Sequence, residues 1–164
     1  MPNHTDNRVV LSHDDPQRID YIYNIMNTDD AELCQALIPM DENLLDNGDW
    51  YEWRLENWGT KWDVYETRCD RIDANTLHLY FYTAWSPPMP IYEKLTDMGF
   101  DVTARYLDEG WMFIGEYNNG DDWVTDDVDS VVEHCPELDE EFEIQATIER
   151  IREIEEEERA EANG

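Results

Sequence analysis

The order in which helical and strand patterns follow one another constrains the fold of this chain more than any other feature. Two segments carry apolar residues at steps of three and four, the repeat of an amphipathic helix. The first begins after Asp15-Pro16, an N-cap followed by a proline, and runs to about residue 27. The second ends at Gly99. The two apolar stripes are Ile19, Ile22, Tyr23 and Met26, and Ile91, Leu95 and Met98.

Strand patterns fill most of the remaining first 120 residues. The predicted strands are 7–13, 63–72, 76–84, 100–107 and 111–117. We expect 63–72 and 76–84 to form a hairpin at the centre of the sheet, and we expect residues 50–58 to form a short helix that stops at Gly59. This order predicts an α+β fold, namely a ferredoxin-like antiparallel sheet with two helices on one face and an added strand.

Acidic residues set the predicted domain organisation. The 164-residue chain holds 41 Asp and Glu against 11 Lys and Arg, a formal charge of -30, and 18 of those acids lie after residue 120. We therefore predict a ferredoxin-like domain over residues 1–120 and a C-terminal acidic helical extension over residues 121–164. Its apolar residues recur at helical spacing and predict one long amphipathic helix. They are Leu138, Phe142, Ile144, Ile148, Ile151 and Ile154.

So large a negative charge indicates a basic partner, because self-repulsion destabilises the compact state unless something offsets it. Glu149, Glu153 and Glu157 follow each other at four-residue steps, about 6 Å apart on a helix, which resembles the spacing of phosphates along a nucleic-acid strand. The predicted partner-binding residues are Asp121, Asp122, Asp126, Asp127, Asp129, Glu133, Glu149, Glu153, Glu156 and Glu157. A solvated acidic face and salt adaptation of a halophilic housekeeping protein stay open as alternatives.

A second candidate site is a cluster of tryptophans with polar neighbours. Its members are Trp58, Lys61, Trp62, Asp63, Trp85 and Ser86. Indole rings can grip a ligand or peptide, or they can form core, and the sequence leaves both interpretations open. Enzyme signatures such as HExxH, GxSxG or a phosphate-binding glycine loop are absent from the sequence, and no carboxylate run has the spacing of an EF-hand. We expect no enzyme, metal or cofactor.

Several short motifs resemble the YubB-like, or Api92-like, ferredoxin-like domain proteins of phages and plasmids. They are Met1-Pro2-Asn3, Asn7-Arg8-Val9, Ile38-Pro39-Met40, Glu56-Asn57-Trp58-Gly59-Thr60-Lys61-Trp62-Asp63 and Thr83-Ala84-Trp85-Ser86-Pro87-Pro88. The resemblance covers about residues 1–118 and implies a ferredoxin-like fold and a mobile-element origin, with no established activity. This chain has His4 and Thr5 where the family has an aromatic residue and a cysteine. We expect the acidic tail after residue 120 to lie beyond the shared pattern.

These observations predict a phage-encoded acidic inhibitor or adaptor, of the DNA-mimic type, that binds the basic nucleic-acid-binding surface of a host protein. A restriction or CRISPR effector, or a polymerase, would be a target of this kind. Three cysteines without a CxxC pair and the lack of a secretory signal or membrane span predict the host cytoplasm. We expect no direct nucleic-acid or membrane binding. A homodimer through the C-terminal helix and a tryptophan-lined ligand or peptide binding module stay open.

Overall fold

The computed structural model of the chain describes residues 3–163; Met1, Pro2 and Gly164 lie outside the described residues. The strands are β1 (His4–Ser12), β2 (Tyr65–Asp73), β3 (Thr76–Ala84), β4 (Asp101–Asp108), β5 (Ile114–Asn118) and β6 (Asp121–Thr125). They form one antiparallel sheet in the spatial order β2-β3-β1-β4-β5-β6. The predicted α+β class is confirmed.

Eight α-helices and one 3-10 turn accompany the sheet in the described residues. The helices are α1 (Pro16–Met26), α2 (Leu33–Leu37), α3 (Asn43–Asn47), α4 (Trp50–Asn57), α5 (Met89–Asp97), α6 (Val131–His134), α7 (Pro136–Phe142) and α8 (Ile144–Asn163), and the 3-10 turn is Val128–Ser130. Along the chain, β1-α1-β2-β3-α5-β4 is the ferredoxin-like order, and β5 and β6 extend the sheet beyond β4.

The first hairpin occupies a different place in the sheet from the one predicted. Strands β2 and β3 pair in antiparallel fashion as expected, but β2 lies at one edge of the sheet, and β1 lies between β3 and β4 at its centre. The burial of each strand explains this order. Val9 and Leu11 of β1 are fully buried, whereas no residue of β2 is. The polar sequence of β2 suits an edge that faces water.

Helices α1 and α5 cover one face of the sheet and enclose the main core. The predicted N-cap is present, since the Asp15 carboxylate accepts a hydrogen bond of 2.9 Å from the backbone nitrogen of Gln17. The apolar residues of the two helices meet those of the three central strands. The core includes Val9, Leu11, Ile19, Ile22, Leu77, Leu79, Phe81, Ile91, Leu95, Val102 and Ala104.

The sheet continues past residue 120, where we predicted the domain boundary. Asn119 and Gly120 have φ angles of 47° and 104°, and they form a two-residue turn of the kind that joins twisted antiparallel strands. Strand β6 follows at once and pairs with β5 from Asp121 to Thr125. The acidic segment therefore begins as the sixth strand of the sheet.

The rest of the C-terminal segment packs on the sheet face that α1 and α5 leave open. Leu107 and Ile114 point to this face and form a second apolar cluster with residues of the C-terminal helices. Those residues are Val128, Val131, Leu138, Phe142 and Ile144. The Arg8 guanidinium lies 4.6 Å from the centre of the Phe142 ring, which fastens α7 to the central strand β1.

The predicted single long helix from Leu138 is two helices instead. Glu143 has a φ of 51°, a left-handed conformation that ends α7, and α8 starts at the next residue. The break has a packing reason. Leu138 and Phe142 before it and Ile144 after it are all buried in the second cluster. In one straight helix, Phe142 and Ile144 would lie on nearly opposite sides, because they are two residues apart; the break lets both side chains enter the same cluster.

Candidate partner-binding surface

The first group of predicted partner-binding residues lies on β6 and in the segment after it. Asp121 and Asp122 belong to β6, Asp126 and Asp127 to the loop after it, Asp129 to the 3-10 turn and Glu133 to α6. All six side chains are exposed. The 3-10 turn and α6 contact the first turns of α8, so Asp129 and Glu133 lie on elements beside the base of that helix.

Asp122 differs from the others because a buried hydroxyl holds it. The Tyr106 hydroxyl donates a 2.5 Å hydrogen bond to the Asp122 carboxylate. Burial raises the pKa of Tyr106, and the neighbouring Asp122 carboxylate raises it further. The phenol therefore stays protonated at neutral pH and fixes Asp122 at the start of β6.

The second group of predicted residues lies on α8. Glu149, Glu153, Glu156 and Glu157 are exposed, as is every residue from 149 to 163. At 1.5 Å per residue, this exposed length is about 22 Å. The ion pairs found within residues 3–163 all join residues before Asp121, so none neutralises a carboxylate of α8. This surface therefore presents unpaired negative charge.

The apolar band of α8 divides into a covered and an uncovered part. Ile144 is buried and Ile148 packs against the second cluster, whereas Ile151 and Ile154 are each 48% exposed. By helical periodicity, Glu149, Glu153 and Glu157 follow the side of the helix opposite Ile144 and Ile151. The base of α8 is thus anchored, and its outer part stands in solvent with carboxylates on the far side.

The tryptophan cluster proves to be mixed. Trp58 is core, with its indole nitrogen donating a 2.8 Å hydrogen bond to the carbonyl oxygen of Ile38. Asp63 has a structural role, because its two carboxylate oxygens accept bonds of 2.9 Å from the backbone nitrogens of Cys34 and Gln35 at the start of α2. Ser86 donates to the carbonyl oxygen of Gly59 and ties the two family motifs together.

Lys61 occupies the space between the remaining aromatic rings. Its ammonium nitrogen lies 5.0 Å from the ring centre of Trp62, 5.3 Å from that of Trp85 and 5.9 Å from that of Tyr51. Such distances suit cation-π attraction. The cluster therefore holds a cation of the chain itself, because the Lys61 ammonium contacts the rings of Tyr51, Trp62 and Trp85.

Candidate nucleophiles receive little support from their surroundings. Burial raises the pKa of the Cys34 thiol, and the adjacent Asp63 carboxylate raises it further. Burial also raises the pKa of Cys69, to about 11. Both thiols therefore stay protonated at neutral pH and lack the thiolate that nucleophilic chemistry needs. Within residues 3–163, no three His, Cys, Asp or Glu side chains are grouped so that they could hold a metal ion.

Basic side chains on the sheet face opposite α1 and α5 are paired with acids. Arg8 and Asp6 are 3.1 Å apart, and Arg68 and Asp70 are 2.6 Å apart. A third pair, also at 3.1 Å, joins Arg105 to Glu116. These arginines form one row across the sheet, but their charge is locally compensated. The row is therefore poorly suited to attract phosphates.

The sequence did not single out two exposed apolar residues, Trp123 and Val124 of β6. Asp121 and Asp122 before them and Asp126 and Asp127 after them gave the segment the composition of an acidic tail. The β-favouring Trp-Val-Thr run at residues 123–125 was the signal of a strand.

No helix within residues 3–163 has both the length and the apolar content required to cross a membrane. No curated protein and no solved structure matches the chain. A family model described as the ferredoxin-like domain in Api92-like protein matches residues 61–160, more than half of the chain. The match extends through most of α8, so the expectation that the tail after residue 120 lies beyond the shared pattern is wrong. The chain belongs to the family of the Api92-like ferredoxin-like domain, as its motifs indicated.

Proposed function

We propose that this protein is an acidic inhibitor or adaptor that binds the basic nucleic-acid-binding surface of another protein, in the manner of a DNA mimic. In this proposal the protein is encoded by a phage, acts in the cytoplasm of the host cell and blocks a host-defence protein such as a restriction or CRISPR effector. It uses no cofactor, binds no nucleic acid directly and performs no catalysis. The observation that carries the proposal is the exposed and unpaired carboxylate line of α8.

The carboxylates of α8 are costly to the free protein. Like charges four residues apart on a helix repel each other, and Glu149, Glu153 and Glu157 form two such pairs in succession. Basic residues of the chain do not relieve them through ion pairs in residues 3–163. Lysines and arginines of a partner would do so, and the relief would add to the binding energy. This favours a partner with a strongly basic surface.

The geometry of the line supports mimicry of a nucleic-acid strand. Successive carboxylates along it stand about 6 Å apart, and the line from Glu149 to Glu157 is about 12 Å long. Duplex DNA also carries closely spaced charge, about one per 1.7 Å of axis over both strands. A basic channel that binds phosphates would therefore meet a similar row of anions on α8. Association would be electrostatically steered and would weaken as salt screens the charges.

Two alternatives are less well supported by the contacts. A tryptophan-lined binding module needs free ring faces, but Lys61 lies between Tyr51, Trp62 and Trp85. A homodimer through Ile151 and Ile154 would bring two highly acidic helices together, which like-charge repulsion opposes. Salt adaptation would explain the charge without any partner. It predicts that the fold needs molar salt, so a protein that is folded at low ionic strength would argue against it.

The test begins with capture of proteins from a host lysate on the immobilised chain, followed by elution with increasing salt. A captured basic nucleic-acid-binding protein then serves for affinity measurements. We expect Glu153→Lys combined with Glu157→Lys to weaken binding at least tenfold. The matched control is Glu155→Lys combined with Glu158→Lys, which changes the net charge equally on the isoleucine side of α8.

Three results would contradict the proposal. The first is an affinity that does not change between low and high salt. The second is equal weakening by the two double variants, which would assign the effect to net charge and not to the carboxylate line. The third is retention of the partner's nucleic-acid binding when the complex is formed, because a mimic must compete for the same surface.

A further inference from the structure

Strand β6 presents an unpaired edge to solvent. It is the last strand of the sheet, and its partner β5 lies on one side only. The two-residue turn at Asn119-Gly120 makes Asn118 and Asp121 a hydrogen-bonded pair, after which hydrogen-bonded and non-hydrogen-bonded pairs alternate. Asp122 and Val124 fall in the non-hydrogen-bonded pairs. Their backbone N–H and C=O groups therefore point away from β5.

An apolar groove lies beside this edge. Its volume is about 510 Å³. The lining includes Asp122 and Val124 of β6, Tyr106 of β4, Leu55 of α4, Pro87 of the segment that follows β3, and Met89 at the start of α5. Val124 is 52% exposed, and Trp123, on the other face of the strand, is 46% exposed. Apolar surface is thus available on both faces of the edge.

Acidic side chains frame the same strand. Asp121 and Asp122 stand at its beginning, Asp126 and Asp127 follow its end, and all four are exposed. None takes part in the ion pairs found within residues 3–163. A basic segment would neutralise them. A second copy of β6 would place four more aspartates beside them, so charge disfavours pairing of the strand with itself.

We propose that the β6 edge binds an extended, basic segment of a partner protein by strand addition. The segment adds a seventh strand to the sheet and bonds to the free backbone groups of Asp122 and Val124. Its alternate side chains are apolar on the side of the groove, and its Arg or Lys side chains lie near the aspartates. Main-chain bonds supply affinity in this mode, and the groove supplies selectivity. The inference concerns β6 and does not rest on the proposed role of α8.

The test uses a synthetic ten-residue peptide of alternating valine and arginine as the probe. A peptide of equal charge in which proline replaces every valine is the control, because it cannot donate the bonds of a strand at those positions. In amide hydrogen exchange of the full chain at about 0.15 M salt, where the Debye length is about 8 Å, we expect the probe to slow exchange at Asp122 and Val124. The proline peptide should leave both rates unchanged.

Substitution of Val124 gives an independent measurement. Val124→Pro removes an outward N–H without breaking a bond to β5, so the hairpin should form and probe affinity should fall at least tenfold. Val124→Thr keeps the N–H and the branched side chain and should bind within threefold of the unmodified protein. Equal binding of the two peptides, or a Val124→Pro variant that is folded and binds the probe normally, would overturn the inference. Probe-induced dimers seen in sedimentation would instead assign the edge to a second copy, which also overturns it.

The role of α8 is tested separately in the same assay. The variant with Glu153→Lys and Glu157→Lys should keep the exchange protection at Asp122 and Val124. Loss of that protection would mean that the probe binds along α8, and strand addition would be wrong. Conversely, if this variant binds a captured host protein as tightly as the unmodified chain, the proposed function fails while the β6 result stands.

Discussion

Carboxylates near the sheet and carboxylates on the outer part of α8 have opposite roles. Near the core, acids complete the fold: Asp63 caps α2, and the buried Asp108 accepts bonds of 3.0 Å and 3.2 Å from the backbone nitrogens of Gly110 and Met112. On α8, residues 149–163 are all exposed, and their carboxylates form no ion pairs within the described part of the chain. The acidic residues therefore have two roles, and only those on α8 leave charge available to a partner.

The largest expected effect belongs to the core under α1 and α5. Phe81 of β3 is 1% exposed, and its replacement by alanine should cost about 3–5 kcal/mol of unfolding free energy, because a cavity remains where the ring packed. Urea denaturation followed by tryptophan fluorescence measures it. The neighbouring Tyr82, whose side chain points to the other face and is partly exposed, is the control. Tyr82→Ala should cost about 1 kcal/mol, the value of its aromatic contacts.

A smaller and more local effect is expected in the second apolar cluster. Phe142 lies at the rim of that cluster, with the Arg8 guanidinium against its ring. Phe142→Ala should cost up to about 3 kcal/mol. Hydrogen exchange should become faster over residues 128–148 and stay unchanged in β3. Glu140→Ala, at an exposed position of the same helix, is the control. It should change neither the unfolding free energy nor the exchange rates over residues 128–148. A loss spread evenly over the whole chain would contradict the distinction between the two regions.

The cap at Asp63 tests the structural use of an acid. Asp63→Ala leaves two backbone nitrogens at the start of α2 without their acceptor and should lower stability by about 1–2 kcal/mol. Asp63→Asn keeps one acceptor oxygen and should cost less. Thermal unfolding compares both with Glu157→Ala on α8, for which we expect no loss. If all three variants unfold alike, acids near the core and on α8 are not used differently.

Local patterns predicted much of the fold because they report on burial at short range. The stripe through Ile19 and Ile22 and the Asp15-Pro16 start located α1 to within a residue of its observed end. Strand β3 was predicted at its observed bounds, since its alternate residues are apolar. The position of β2 at the edge was missed, because which strand lies between two others depends on long-range pairing. The break at Glu143 was also missed, because it depends on how Phe142 and Ile144 pack into a cluster built from distant residues.

The candidate surface was only partly predictable for the same reason. The exposure of Glu149, Glu153 and Glu157 agrees with their helical spacing. Asp63 was grouped with a ligand site, yet it caps a helix 28 and 29 residues earlier in the chain, a contact that spacing alone does not reveal. The β6 edge was hidden because four aspartates dominate the composition around Trp123 and Val124. Composition is an average over a segment, whereas a strand is indicated by the order of the side chains within that segment.

The smallest expected effect lies on α8 and concerns the sign of single charges. Glu153 has Glu149 and Glu157 at its four-residue neighbours, so Glu153→Gln should stabilise the helix by about 0.2–0.5 kcal/mol at low salt. Glu155 has Arg159 four residues later, a favourable order, so Glu155→Gln should destabilise it by a similar amount. Amide exchange over residues 149–163 measures both. At about 1 M salt the Debye length falls to about 3 Å and both differences should vanish. Effects of equal sign, or effects that persist at high salt, would mean that packing and not screened repulsion governs this helix.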